Sequence, residues 1–183
     1  MPDFALQYLA IREKEGRTYD DATLLALPEI QFGHQHYGEW QIRKQSAVRI
    51  WDDFHAKNKP LRILDLGCGN GWFAHGLSKI PSTEVIGLDI EGPEIQQAKK
   101  VFQMLQPQLS FISTDIFDTA LDHERFDRIT LGASIQYFAD LPALIRRLRS
   151  LLSPNGEIHV FDSPFYPESE LGRAKKRSVD YYE

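Results

Sequence analysis

The apolar residues in the middle of the chain form short buried runs that alternate with amphipathic stretches. Between the runs, apolar positions recur at helical spacing after residue 72 and over 94–104 and 140–152. The buried runs predict five strands, at 63–66, 84–90, 109–118, 126–134 and 157–163. Strands that alternate with helices predict an α/β fold in which a mostly parallel sheet is doubly wound, with helices on both faces.

The beginning of the chain carries helical patterns and no confident strand. Residues 4–11 and 20–28 predict two short helices, and residues 39–57 predict a longer helix that packs beside the sheet. We therefore expect a helical N-terminal leader or cap over residues 1–58 and an α/β domain over residues 59–183.

The first predicted strand runs into a turn with glycine at every second position, Gly67, Gly69 and Gly71. Glycine adopts positive φ freely and lets a ligand lie against the main chain, so the turn predicts close approach by a ligand. A dinucleotide fingerprint reads G-x-G-x-x-G, whereas this turn reads G-x-G-x-G and follows an acid, Asp65. Cys68, the single cysteine of the chain, lies inside the turn and is interpreted as a small residue that fits there.

Acids follow the next two predicted strands as well. Asp89 ends the second strand, where its two carboxylate oxygens suit the two hydroxyls of a ribose. Asp115, followed by Ile116, ends the third strand, although an aspartate in a turn is a common alternative. The pattern predicts a nucleoside ligand at the carboxyl ends of the strands but does not identify which nucleoside.

The string from Leu64 to Gly71 resembles motif I of the class I S-adenosylmethionine-dependent methyltransferases, and matches continue to Asp162 in the family's order. The resemblance implies a Rossmann-like fold, S-adenosyl-L-methionine as cofactor, and methyl transfer to a small-molecule acceptor. It also implies that Asp89 holds the ribose and that Asp115 reads the adenine. The cofactor-binding residues expected on this basis are Asp65, Gly67, Cys68, Asn70, Gly69, Gly71, Asp89, Ile90, Asp115, Ile116, Gly132 and Ala133.

The resemblance further implies that the leader folds over the cofactor. Tyr37, Trp40 and Arg43 are then candidates for the methionine end or the substrate pocket, although Trp40 fits the core and Arg43 the surface equally well. Gln136 and Tyr137 are candidates for substrate contact. No residue is assigned as a catalytic base, because only some methyl acceptors need one.

Two other functions remain open. A nicotinamide-dependent oxidoreductase shares the glycine turn and the strand-end acid, but this glycine spacing does not suggest an anchor for a pyrophosphate. A non-catalytic binding domain that keeps the cofactor site as a sensor or scaffold is the other alternative.

Composition and charge restrict the partners. The net charge of −5 and the pI near 5.7 do not favour nucleic acid, and the basic run at 173–177 is interpreted as a solvated helix face. No apolar run approaches the ~20 residues that span a bilayer, and no secretory signal is recognised, so we expect a cytoplasmic protein without membrane contact. His34 and His36 lack a third ligand at fixed spacing, so no metal is expected.

The end of the chain departs from the family pattern. The family fold has seven strands, the last two an antiparallel hairpin, but only 18 residues follow Phe165. We expect a sheet that stops after its fifth strand, either because the chain is a piece of a longer one, which we prefer, or because the fold has lost its edge.

Overall fold

The computed structural model describes residues 10–182, with side chains up to Arg177. Residues 10–14 are helical, whereas residues 4–9 of the first predicted helix lie outside the described residues. The strands are β1 (Leu61–Leu66), β2 (Thr83–Asp89), β3 (Leu109–Ser113), β4 (Phe126–Gly132) and β5 (Leu152–Phe161). The α-helices are α1 (Asp21–Ala26), α2 (Tyr37–Ala56), α3 (Trp72–Ser78), α4 (Pro93–Phe102), α5 (Leu141–Ser150) and α6 (Leu171–Tyr182).

The five strands form one parallel sheet in the order β3-β2-β1-β4-β5. The chain builds the sheet outwards from β1 to β3, then crosses back to place β4 on the other side of β1. This reversal leaves a crevice at the carboxyl ends of β1 and β4, where open α/β sheets bind their ligands. The predicted doubly wound, Rossmann-like α/β class is confirmed.

Two apolar cores cover the two faces of the sheet, because side chains alternate along each strand. In β1, Ile63 points into the core that also contains the buried residues of α1 to α4. Leu64 points to the opposite face, into the core that contains Leu144 and Leu148 of α5. The nearly continuous burial of β1, β2 and β4 follows from this covering on both sides.

The helical leader packs on the first of these faces. Asp20 caps α1 by accepting a hydrogen bond from the Thr23 N–H at 2.7 Å. In α2, Trp40, Ala47 and Phe54 are buried. The helical N-terminal segment is therefore confirmed.

Two predicted boundaries are wrong. The third strand ends at Ser113 and does not continue to residue 118, because the Asp115 carboxylate accepts the Phe117 N–H at 2.9 Å and turns the chain. Residues 153–156, which precede the strand predicted at 157–163, lie inside β5 as a bulge, where two residue steps along β4 correspond to five along β5. Asn155 supplies the left-handed residue of this bulge, with φ 64°.

The sheet of the described residues has these five parallel strands, and α6 follows β5. In α6 the residues of the basic run are mostly exposed, and the guanidinium of Arg177 lies 5.5 Å from the ring centre of Tyr166. Within residues 10–182 the helices lack the combination of length and apolar character needed to cross a bilayer.

Candidate functional site

The three glycines of the turn all have left-handed backbones, with φ between 51° and 79°, but they have different surroundings. A Cβ at Gly67 would lie 2.5 Å from Ser134 Cβ, and a Cβ at Gly71 would lie 2.7 Å from the Phe111 ring. At Gly69 the nearest atom would be Glu94 Oε2, at 3.6 Å. Gly67 and Gly71 are therefore required for packing, and Gly69 alone has an open side toward which a ligand can approach.

Asp89 lies at the end of β2 directly beside this open glycine. Its Oδ2 accepts the Gly69 N–H at 2.6 Å, and its Oδ1 accepts the Ile90 N–H at 2.8 Å. Burial raises the pKa of Asp89 to about 6, and the nearby charge of Glu94 adds to this effect. Each oxygen keeps further acceptor capacity, so the carboxylate is fixed in place and can still accept hydroxyl protons.

Asp65 lies at the end of β1 below the turn and is 3% exposed. Its Oδ1 accepts the Thr130 hydroxyl at 2.8 Å. Burial raises the pKa of Asp65 to about 7, with a smaller contribution from the charge of Asp89. Among the described residues no ion pair joins a lysine or arginine to either carboxylate, so whatever negative charge they carry is offset only by hydrogen bonds.

A small cavity of about 30 Å³ lies between this turn and the ends of β4 and β5. A space of that size holds about one water molecule, so a larger ligand requires the wall to move. One wall comes from the leader, through Arg43. The lining residues are Arg43, Asp65, Gly67, Cys68, Trp72, Phe73, Gly132, Phe161 and Asp162.

Arg43 and Trp40, two candidates from the leader, have different places. Trp40 is 4% exposed and donates its indole N–H to the Tyr19 hydroxyl at 2.8 Å, so it belongs to the core. Arg43 lines the cavity, and its Nε donates to Glu39 Oε1 at 2.9 Å. Tyr37 packs its ring against Phe32 instead, with ring centres 5.3 Å apart, and does not line the cavity.

The ends of β4 and β5 bring two strained residues to the other side of the cavity. Ala133 and Asp162 both have φ 53°, a left-handed conformation that is uncommon for residues other than glycine. The Ala133 N–H donates to Phe161 O at 2.9 Å, and Ser46 of α2 donates its hydroxyl to Asp162 Oδ1 at 2.6 Å. The leader is thus tied to the strand end that forms the cavity wall.

The residues expected near an adenine lie at the ends of β2 and β3. Ile90 is 46% exposed and offers an apolar surface, and Asp115 is exposed as well. Ile116 is 1% exposed and its side chain belongs to the core, so only its main chain can reach a ligand. Asn70 is also buried, and its side-chain oxygen accepts the Trp72 N–H at 3.5 Å within the turn.

The remaining candidates lie outside the cavity. Tyr137 is 53% exposed, and Gln136 donates its side-chain N–H to Ala133 O at 2.6 Å. His34 and His36 lie together in the leader, where the His36 N–H donates to His34 Nδ1 at 3.1 Å. Within residues 10–182, no three His, Cys, Asp or Glu side chains lie together in a group able to hold a metal ion.

Sequence reasoning missed two acidic residues of the site. Asp162 could have been found, because it follows a buried strand in the same way as Asp89 and Asp115 do. Glu94 carried no such signal, since it lies in the first turn of α4 and only the folded chain brings it beside Gly69.

A second, larger cavity of about 280 Å³ lies at the opposite end of the sheet. Its walls come from the amino ends of β1 and β2 and the start of β4, including Arg62, Glu84 and Asp127. Open parallel sheets do not place their ligands at this end.

Comparison with known proteins agrees with the fold and the turn. The family model described as a methyltransferase domain matches residues 63–156. The chain therefore belongs to the methyltransferase domain family, and the resemblance to class I S-adenosylmethionine-dependent methyltransferases drawn from the sequence is confirmed.

Individual relatives are more distant. The chain is 30% identical over 122 residues to a 2-phytyl-1,4-naphtoquinone methyltransferase of Trichormus variabilis, covering 62% of this chain and 53% of the relative. It is 30% identical over 119 residues to a malonyl-[acyl-carrier protein] O-methyltransferase of Ilyobacter polytropus, covering 64% of this chain and 44% of the relative. The chain thus spans about half the length of the curated relatives it matches.

Solved structures share the fold. The YcgJ protein of Bacillus subtilis superposes with a TM-score of 0.58 at 18% identity, over 71% of this chain and 56% of that one. Coclaurine N-methyltransferase bound to N-methylheliamine and S-adenosylhomocysteine superposes with a TM-score of 0.52 at 16% identity, over 62% and 35%.

Proposed function

We propose that this chain binds S-adenosyl-L-methionine at the carboxyl ends of β1, β2 and β4 and serves methyl transfer to a small-molecule acceptor. The observation that carries this proposal is the pair of carboxylates at the turn: Asp65 is buried, Asp89 is half-buried and accepts the N–H of the open glycine Gly69, and neither has an ion-pair partner among the described residues. Buried charge without a partner costs free energy, and a ligand that carries positive charge offsets that cost.

The residues present fit this cofactor along its length. Asp89 can accept the ribose hydroxyls while it stays anchored to Gly69. Ile90 offers its exposed side chain to the adenine, and Asp115 offers an acceptor to the exocyclic amine. Arg43 at the cavity wall suits the carboxylate of the methionine part. We propose the other turn residues as neighbours through their main chain, together with Gly132 and Ala133.

The mechanism assigned to the protein is positioning. When bound, the cofactor supplies an electrophilic methyl group on its sulfonium. The chain holds the nucleoside through Asp89, orients the amino-acid end through Arg43, and excludes water with the leader, so the acceptor meets the methyl group in line. We propose residues 1–58 as this cap and residues 59–183 as the cofactor-binding domain. No residue is assigned as a catalytic base.

Support for a small-molecule acceptor comes from the relatives and from charge. The similar proteins include a 2-phytyl-1,4-naphtoquinone methyltransferase and a malonyl-[acyl-carrier protein] O-methyltransferase, and the first of these names contains a small molecule. The net charge of −5 disfavours nucleic acid as a partner, and we propose a cytoplasmic location.

The test is thermal unfolding with S-adenosylmethionine, with S-adenosylhomocysteine, with NAD and without ligand. A ligand at about 100 times its Kd stabilises by about 2.7 kcal/mol, which raises the midpoint of a chain of this size by roughly 5–10 °C. We expect a rise with both adenosyl sulfur compounds and none with NAD. A rise with NAD alone would overturn the proposal in favour of an oxidoreductase.

Binding is then separated from catalysis with cofactor labelled at its methyl group. The labelled cofactor is incubated with the protein and a metabolite extract, and transfer of label to a small molecule is measured. Tight binding without any transfer would leave a binding domain and remove the enzymatic part of the proposal.

A further inference from the structure

Glu94 is a third carboxylate at the glycine turn, beyond the two acids already described. It lies in the first turn of α4, and its Oε2 is the atom nearest to the open side of Gly69. After burial, its charge is one of the influences that raise the pKa of Asp89 and of the Cys68 thiol. Glu94 is therefore close enough to act electrostatically on anything bound over Gly69.

The leader neutralises this carboxylate. Arg12 Nη2 lies 3.0 Å from Glu94 Oε1, and both side chains are only 18% exposed. A second ion pair between leader and α4 joins Asp21 to Lys100 at 2.6 Å, but it is more exposed and lies further along the helix. The two pairs dock the same segments, and only the first one touches the turn.

We propose that Glu94 is a further cofactor-binding residue whose carboxylate meets the positive charge of S-adenosylmethionine, and that Arg12 holds this carboxylate when the cofactor is absent. This inference rests on the proposed function. It goes beyond that function by assigning the site a preference between the two forms of the cofactor and by giving the leader a part in it.

The preference follows from the charge balance of the reaction. On methyl transfer the S–CH₃ bond breaks and its electron pair stays on sulfur, while the acceptor forms a bond to the methyl group and releases a proton. The cofactor thereby loses one positive charge and becomes the neutral thioether. A carboxylate beside Gly69 stabilises the sulfonium form more than the thioether. The ion pair between Arg12 and Glu94 therefore re-forms as the product forms.

The experiment measures Kd for S-adenosylmethionine and S-adenosylhomocysteine by calorimetry at low salt. We expect Glu94→Gln to lower the ratio Kd(S-adenosylhomocysteine)/Kd(S-adenosylmethionine) by about three- to tenfold, as for the loss of one charge whose interaction is screened by solvent. Arg12→Gln should raise the same ratio, because it leaves the carboxylate unpaired. Glu94→Asp, which keeps the charge, should restore a ratio near that of the wild type.

Asp21→Asn is the matched control. It removes the other ion pair between the leader and α4, so it reports any effect of looser docking, and its ratio should equal that of the wild type. Equal weakening of both ligands by Glu94→Gln would overturn the charge role, and so would a ratio that Arg12→Gln lowers. If the wild type binds neither ligand, the proposed function itself fails; if it binds both and the ratio never changes, only this inference fails.

Discussion

The two ends of the same sheet carry cavities of opposite character. At the amino end, Arg62 pairs with Glu84 and with Glu124, and its main-chain N–H donates to Asp127 at 2.9 Å, so both acids in the wall of the larger cavity have Arg62 as a partner. At the carboxyl end, Asp65 and Asp89 accept hydrogen bonds only from a hydroxyl and from main-chain N–H groups among the described residues.

The state of the acids therefore locates the site better than volume does. The amino-end cavity has about 280 Å³ and the carboxyl-end cavity about 30 Å³, yet the smaller one is lined by Asp65, whose pKa is raised by burial, and Asp89, whose pKa is raised in the same way, lies beside Gly69 in the adjoining turn. Paired surface charges need no ligand, whereas buried unpaired ones raise the free energy of the fold until something binds them. Four predictions test this contrast, from the largest expected effect to the smallest.

The carboxyl end should be intolerant of any side chain at Gly71. Gly71→Val should lower the free energy of unfolding by about 5 kcal/mol, roughly 2 from the left-handed backbone and 3 from overpacking against Phe111. Unfolding in denaturant measures this loss of free energy of unfolding. Gly92→Val is the control, because a Cβ there would meet no atom within 4 Å and its backbone is extended. Equal losses in both variants would contradict the packing role.

Ionisation of Asp65 should destabilise the carboxyl end. Because its pKa is raised from 3.8 to about 7 in the folded chain, its contribution to stability is complete below pH 4 and is lost as pH rises to 7. One pKa unit corresponds to about 1.4 kcal/mol, so the wild type should lose about 4 kcal/mol relative to Asp65→Asn between pH 4 and 8. Denaturant midpoints across this range measure the difference. Parallel pH profiles of the two proteins would show that the acid is not buried as described.

Removal of the Asp89 carboxylate should weaken ligand binding. Asp89→Ala should weaken binding of S-adenosylhomocysteine by about 1.5–3 kcal/mol, the size of hydrogen bonds to a charged group. Calorimetry measures the affinity, and Asp127→Ala is the control. Because Asp127 lies at the amino end of the sheet, this substitution should leave the affinity unchanged. Unchanged affinity in the Asp89 variant would mean that the ribose lies elsewhere.

The amino-end charges should have the smallest effect. Arg62→Gln removes partly exposed ion pairs, which contribute less than about 1 kcal/mol each, so the thermal midpoint should fall by only a few degrees. Its affinity for S-adenosylhomocysteine should equal that of the wild type. A marked loss of affinity would instead assign function to the larger cavity.

Local pattern was enough to predict the elements and the strand-end acid Asp89. The glycine turn and the alternation of strands and helices each depend on patterns of a few residues, so the sequence alone indicates them. The pattern could not show why each glycine is needed, because packing against Phe111 and approach by a ligand both require the absence of a Cβ. It also mistook the residues after β3 for strand, since an aspartate side chain ends that strand.

Contacts between residues far apart in the chain could not be predicted from the sequence. Arg12 and Glu94 are 82 positions apart, and Ser46 and Asp162 are 116 apart, so neither pairing leaves a local signature. The carboxyl-end site is completed by such contacts between the leader and the domain. The named candidate Arg43 could therefore be placed at the cavity wall only from the folded chain.

Trp51 of α2 packs closely against α3 at Gly76. A Cβ at Gly76 would lie 2.0 Å from Trp51 Cζ2, so the indole of α2 lies in a notch that exists only because position 76 has no side chain. A single methyl group added there would force the indole of Trp51 to move. Because Trp51 and Arg43 belong to the same helix, Gly76 connects the packing of α3 to the segment that carries Arg43, although Gly76 does not line the cavity.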